Sequence, residues 1–166
     1  VVARIASAGA VPVVLGGDHT VTYADATGIA RARGDGSFAL IHFDAHADTG
    51  ETHYGQLHGH GTPMRRLVES GAVPGRRFVQ IGLRGYWPPP EVFAWMREQG
   101  MCWYTMADIV DRGLDPVVDE AIERAADGVD AVFVSVDIDV VDPGFAPATG
   151  TPEPGGLSAR QILDTV

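Results

Sequence analysis

Apolar runs recur along the chain at residues 11–15, 38–43, 77–83, 101–104 and 131–138; 101–104 reads Met-Cys-Trp-Tyr, the others are rich in Val, Ile, Leu or Phe, and polar alternation is slight. Strands that bury both faces read this way, so the five runs are expected to be buried strands of a parallel sheet. Between them, residues 21–33, 63–70, 91–99 and 116–126 carry apolar positions at helical spacing. The last is expected to open with Asp115 as N-cap and Pro116 at the first helical position. The resulting order, βαβαβ, predicts a doubly wound, mainly parallel α/β sheet. No repeat, low-complexity tract or linker interrupts it, and residues 1–166 are read as one domain. Trp87-Pro88-Pro89-Pro90 is a stiff loop inside that domain. Helical patterns already run at Val2–Ile5–Ala6 and again after Ser158, so both ends are expected to be internal to a longer domain.

Ligands of an open parallel sheet bind beyond the carboxyl ends of its strands, and the polar clusters fall at those ends. Gly16-Gly17-Asp18-His19 follows the first run, Asp44-Ala45-His46-Ala47-Asp48 the second, and Asp137-Ile138-Asp139 closes the last. In extended chain, Asp44, His46 and Asp48 project to one side, and Asp137 and Asp139 repeat the spacing. With His19 they amount to four carboxylates and two imidazoles on one rim. So many carboxylates repel unless protons or cations neutralise them, and two divalent ions would do so. Oxygen and nitrogen donors without thiolate suit Mn²⁺ and also admit Zn²⁺, Co²⁺, Ni²⁺ or Fe²⁺.

Composition narrows the partners. Of 166 residues, 45% are hydrophobic, which excludes a disordered chain, and the net charge of −10 disfavours nucleic acid and anionic membranes while favouring a cationic small molecule. No apolar run is long enough for a membrane helix. The single cysteine, Cys102, excludes an internal disulfide and fits a reducing cytoplasm; it is expected to be buried and inert.

The segments 16–20 (Gly-Gly-Asp-His-Thr), 43–48 (Phe-Asp-Ala-His-Ala-Asp), 60–62 (His-Gly-Thr) and 135–143 (Ser-Val-Asp-Ile-Asp-Val-Val-Asp-Pro) resemble the signatures of the ureohydrolase (arginase/agmatinase) family in sequence and order. Residues 146–152 (Ala-Pro-Ala-Thr-Gly-Thr-Pro) with Gly155-Gly156 complete the last signature, and the likeness covers essentially the whole chain. The resemblance implies a three-layer α-β-α, arginase-like fold, here incomplete, and a cofactor of two Mn²⁺. Asp44 and Asp137 would bridge the ions, with His19 and Asp48 completing one shell and His46 and Asp139 the other. A hydroxide shared by the ions would attack the guanidinium carbon of a small cationic substrate and release urea. His60, favoured over His58 by the following Gly61-Thr62, would carry the proton to the leaving nitrogen, and Asp48 would also hold the hydroxide. Thr151 would face the substrate.

His42, His53 and His58 are expected to be solvated loop residues, and Asp18 and Asp142 structural turn residues. The family's substrate-binding glutamate is expected beyond Val166, and an N-terminal strand and helices before Val1. Residues 49–55 (Thr-Gly-Glu-Thr-His-Tyr-Gly) look unlike the polar loop of arginases and like that of agmatinases and guanidinobutyrases. The expected reaction is therefore agmatine to putrescine and urea, a step in polyamine biosynthesis. Guanidinobutyrase or another amidinohydrolase is the alternative within the class; a non-catalytic metal-binding homologue and a deacetylase-like relative with one Zn²⁺ lie outside it. The family also implies a homo-oligomer, trimer or hexamer, and the single cysteine makes the expected location cytoplasmic.

Overall fold

In the computed structural model, which describes residues 1–166, strand β1 (Ala39–Phe43) is the centre of the fold. It pairs in parallel with β2 (Phe78–Leu83) on one side and with β4 (Val132–Val136) on the other, and β2 pairs in parallel with β3 (Cys102–Thr105). The sheet order is β3-β2-β1-β4. Every residue of β1 and β2 is buried, as expected of strands without polar alternation.

Helices cover both faces. Helices α1 (Val2–Ser7), α2 (Thr20–Arg33), α3 (Pro63–Glu69) and α4 (Pro90–Glu98) lie on one side. There Ala26, Ile29, Leu67 and Met96 pack on Leu40 and Phe78. On the other side, α5 (Met106–Arg112), α6 (Leu114–Ala126) and α7 (Ala159–Thr165) set Ile109, Val117 and Ala121 against Ile41, Phe43, Val79 and Ile81. The architecture is a three-layer α-β-α sandwich, as the alternation of elements predicted. No helix is long and apolar enough to cross a membrane.

Several local expectations are corrected. Residues 11–15 form no strand: they line one cleft with β4 without pairing to it, and Val11, Val13 and Leu15 are 87%, 83% and 94% exposed. An open, largely apolar cleft separates the two segments, so neither finds a ladder partner on that side. Helix α6 starts at Leu114, ahead of the expected Asp115 cap. Gly113, at φ 88°, turns the chain out of α5 and lets Leu114 enter the core. Helix α5 itself was not expected. Cys102 is only partly buried, because β3 is an edge strand.

A bulge at Gly82 shifts the β2–β3 register between Ile81 and Leu83. Gly82 has φ 107°, and a Cβ there would stand 2.6 Å from Val140 Cγ2 and 3.0 Å from the Asp44 carbonyl oxygen. The bulge thus lets the end of β2 pass close under the site-bearing segments. Gly82→Ala is expected to lose about 1–3 kcal/mol of stability through overpacking and backbone strain, read as a lowered urea midpoint at unchanged slope.

Candidate metal centre

All four strands are parallel, so the segments leaving β1 and β4 emerge on one rim. The Asp137 N–H donates to the Phe43 carbonyl at 2.9 Å and the Asp44 N–H to the Ile81 carbonyl at 3.1 Å. These bonds seat the two aspartates side by side. The chain from Asp44 to Asp48 is not the extended end that its alternation suggested. Asp44 Oδ1 accepts from the His46 N–H at 2.6 Å, and Asp48 takes a positive φ of 51°. The bend nevertheless turns Asp44 and Asp48 toward the same point. Beyond β4, residues Ile138–Val140 form a 3-10 turn in place of extended chain.

His19, the residue before α2, fills that point. Its Nδ1 lies 3.0 Å from Asp44 Oδ2, 3.0 Å from Asp48 Oδ2 and 3.2 Å from Asp137 Oδ2. Its Nε2 lies 2.9 Å from the Ser135 hydroxyl, which in turn meets that of Thr22. His46 forms a second focus: its Nδ1 is 3.0 Å from Asp139 Oδ2 and 3.5 Å from Asp44 Oδ1. Asp44 therefore offers one oxygen to each focus. Backbone donors fix the remaining carboxylates from behind: the Asp139 N–H donates to Asp137 Oδ1, and the Ala45 N–H to Asp139 Oδ1.

This arrangement fits cations. His19 Nδ1 and Asp44 Oδ2 are buried and lack a well-directed hydrogen bond, which is costly unless something else occupies them. Ligand atoms about 2.1 Å from an octahedral ion stand about 3 Å apart, close to the spacing around His19. Asp44, His46 and Asp139 make one group able to hold a metal ion, and His19 with Asp44 belongs to another.

Without a cation, protons take its place. Burial alone would lower the His19 imidazole, but Asp137, Asp44 and Asp48 outweigh it and push it up to about 12. Burial likewise opposes the charge on His46, and Asp139 and Asp44 push it up to about 10. Burial also raises Asp139 to about 7, with His46 opposing and Asp44 adding to the rise.

The remaining candidates stand around a cavity of about 1020 Å³ that contains the centre. His60 and Thr151 line it, both exposed, whereas His58 lies outside it against the ring of Tyr23. The Gly50 N–H donates to the Gly61 carbonyl at 2.9 Å, and the Thr62 hydroxyl donates to the Leu57 and Gly59 carbonyls, holding the His60 turn. His53 is not a free loop residue: it is half-buried, with its ring edge-on to His60 at 4.1 Å. His42 departs furthest from expectation, being fully buried within β1. Asp18 and Asp142 are turn residues, accepting from Thr20 and from Gly144, Gly155 and Gly156.

Sequence reasoning missed Arg84. Its guanidinium donates to the carbonyls of Asp139 (2.7 Å), Glu153 (2.7 Å), Pro154 (3.1 Å), Gly82 (3.3 Å) and Val140 (3.3 Å), tying the 3-10 turn to the loop after it. The Glu153 carboxylate, from that loop, reaches within 3.9 Å of His46 Nε2. A lone arginine after a strand carries no sequence signal for such a role.

The chain matches the arginase family model over residues 1–166 and belongs to that family. It is 41% identical over 164 residues to a guanidinopropionase of Pseudomonas aeruginosa, covering 98% of this chain and 50% of the relative. To the mitochondrial agmatinase of Gallus gallus it is 39% identical over 165 residues, covering 98% and 47%. The solved proclavaminate amidinohydrolase of Streptomyces clavuligerus superposes with a TM-score of 0.79 at 40% identity, covering 89% of this chain and 47% of that one. The chain thus spans about half the length of the curated relatives it matches.

Because His19 and His46 hold protons at neutral pH when no cation is present, a cation bound through either Nδ1 must displace one. Apparent Mn²⁺ affinity is expected to rise with pH up to about 10, where His46 gives up its proton unaided, with net proton release. Calorimetric titrations in buffers of different ionisation enthalpy measure that release.

Proposed function

We propose that this chain carries the metal-binding core of a ureohydrolase that converts agmatine and water to putrescine and urea. The observation that carries the reading is the convergence of His19, Asp44, Asp48, Asp137, His46 and Asp139 into two foci sharing Asp44. In this reading His19, Asp44, Asp48 and Asp137 would hold one Mn²⁺, and Asp44, Asp137, His46 and Asp139 would hold the other. Two such ions, when bound, lower the pKa of water between them and so supply a nucleophile at neutral pH.

The chain's own groups do the rest. Asp48, half-buried with one oxygen toward His19, orients that water by accepting its hydrogen bond. The guanidinium carbon is attacked by the water oxygen, the C–N bond to the alkyl amine then breaks, and the proton that the water gives up replaces the one that His60 delivers. His60, at the cavity wall, delivers the proton that lets the amine leave. Thr151, in the same wall, contacts the substrate.

Charge selects the substrate within the family. With Asp44, Asp48, Asp137 and Asp139 balanced by the ions, the cavity lining keeps Asp18 and Asp25 as acidic groups, and its one arginine, Arg33, is paired with Asp130 at 2.6 Å. Agmatine brings a second cation to that field, whereas guanidino acids bring a carboxylate with no free basic partner in the lining. Guanidinopropionate, guanidinobutyrate and the substrates of other amidinohydrolases are therefore the runners-up.

Urea release by the intact, Mn²⁺-loaded protein, offered agmatine, arginine, 4-guanidinobutyrate and 3-guanidinopropionate separately, tests this. Chelator-sensitive urea from agmatine is expected; preference for a guanidino acid would overturn the substrate. His60→Ala is expected to keep both ions while kcat falls by about 10²–10⁴-fold. Loss of metal in that variant would make His60 a ligand.

A further inference from the structure

Two polar side chains, His42 and Gln80, sit fully buried inside otherwise apolar strands. They are register partners across β1 and β2, on the face that also carries Leu40 and Phe78. Buried polar groups persist where they are partnered, and here the partners can be traced atom by atom. Gln80 Nε2 lies 2.6 Å from the Ala47 carbonyl oxygen and 2.9 Å from His42 Nδ1. The opposite amide orientation would press two oxygens together at 2.6 Å, so the nitrogen is the atom facing Ala47. One amide hydrogen is donated to Ala47 and the other to His42 Nδ1, which must therefore be the unprotonated, accepting nitrogen. The ring proton resides on Nε2, which stands 2.8 Å from Asp44 Oδ2 in a close polar contact that is not a well-directed hydrogen bond.

We propose that His42 and Gln80 form a positioning pair for Asp44. Gln80 fixes the tautomer of His42, and the His42 Nε2–H holds the carboxylate that both foci of the centre share. This rests on the reading of Asp44 as a metal ligand. His42 stands with His19 and Asp44 in a group whose ligand atoms are close enough to share an ion. The Gln80 contact decides against that role, because an Nε2 that carries the proton has no lone pair to give a metal. Oδ1 of Asp44 is thus restrained by the His46 N–H at 2.6 Å, and Oδ2 is in close contact with His42 Nε2 at 2.8 Å. The His42 ring is itself wedged between Phe78, at 6.2 Å and 86°, and His19, at 4.8 Å. Outer-sphere partners of this kind set the orientation of a ligand and are worth about 10–100-fold in metal affinity.

The test is Mn²⁺ binding to the intact protein by equilibrium dialysis with elemental analysis, alongside thermal unfolding of each metal-free variant. His42→Phe is expected to raise the Mn²⁺ Kd by about 10–100-fold while the full number of ions still binds at saturation. His42→Gln, which returns a donor near the position of Nε2, is expected to recover most of the loss. Gln80→Met leaves His42 in place without its tautomer lock, and is expected to weaken binding as well. It keeps the proposal testable should His42→Phe fail to fold. A wild-type Kd in His42→Phe or in Gln80→Met overturns the proposal. Loss of one ion at saturation in His42→Phe overturns it in favour of a direct ligand. A wild-type protein that binds no divalent cation would overturn the metal reading of the centre itself, which separates that failure from this one.

Discussion

Four carboxylates and two imidazoles cannot share a few ångströms of buried space unless their charges are balanced, and much of this fold serves that condition. Asp44, Asp48 and Asp137 each approach within 3.2 Å of one nitrogen of His19. Asp139 and Asp44 approach His46 in the same way. Mutual repulsion would drive such groups apart in a flexible chain. They stay together because backbone N–H groups hold the carboxylates of Asp44, Asp137 and Asp139 from behind, and because the parallel sheet delivers β1 and β4 to the same rim. The electrostatic strain is local, and the rigidity that contains it comes from the two hydrophobic layers on either side of the sheet.

Much of this was legible in the sequence. Unalternating apolar runs mark β1 to β4, and the Asp and His clusters after them mark the rim. Residues 11–15 are the exception. Val11, Val13, Val14 and Leu15 have strand composition, but a strand also needs a neighbour, and composition says nothing about whether the edge of β4 is adjacent. Helix α5 was missed although its capping box, Thr105 with Asp108, is visible as a pattern. Its seven residues are too few for a helical period to stand out.

The site shows the same division. Ligand-type residues were found because alternation and residue type point to them, even though the chain from Asp44 to Asp48 bends where extension was expected. His42 was read as a loop residue, yet its place within an apolar run was the available signal: a polar residue in a fully buried strand needs a partner. Gln80 carries that signal too. The partners themselves, Ala47 and Asp44, depend on strand register and could not be read from spacing.

Arg84 carries a different kind of information. It grips the loop after the 3-10 turn through the main-chain carbonyls of Glu153 and Pro154, and the turn itself through those of Asp139 and Val140. Main-chain oxygens are the same whatever residue bears them. The attachment of that loop to the rim is therefore insensitive to its composition, and side chains such as Thr149 and Thr151, which face the cavity, are free to diverge while the loop stays anchored. A scaffold fastened in this manner separates the part that must be kept from the part that can be rewritten.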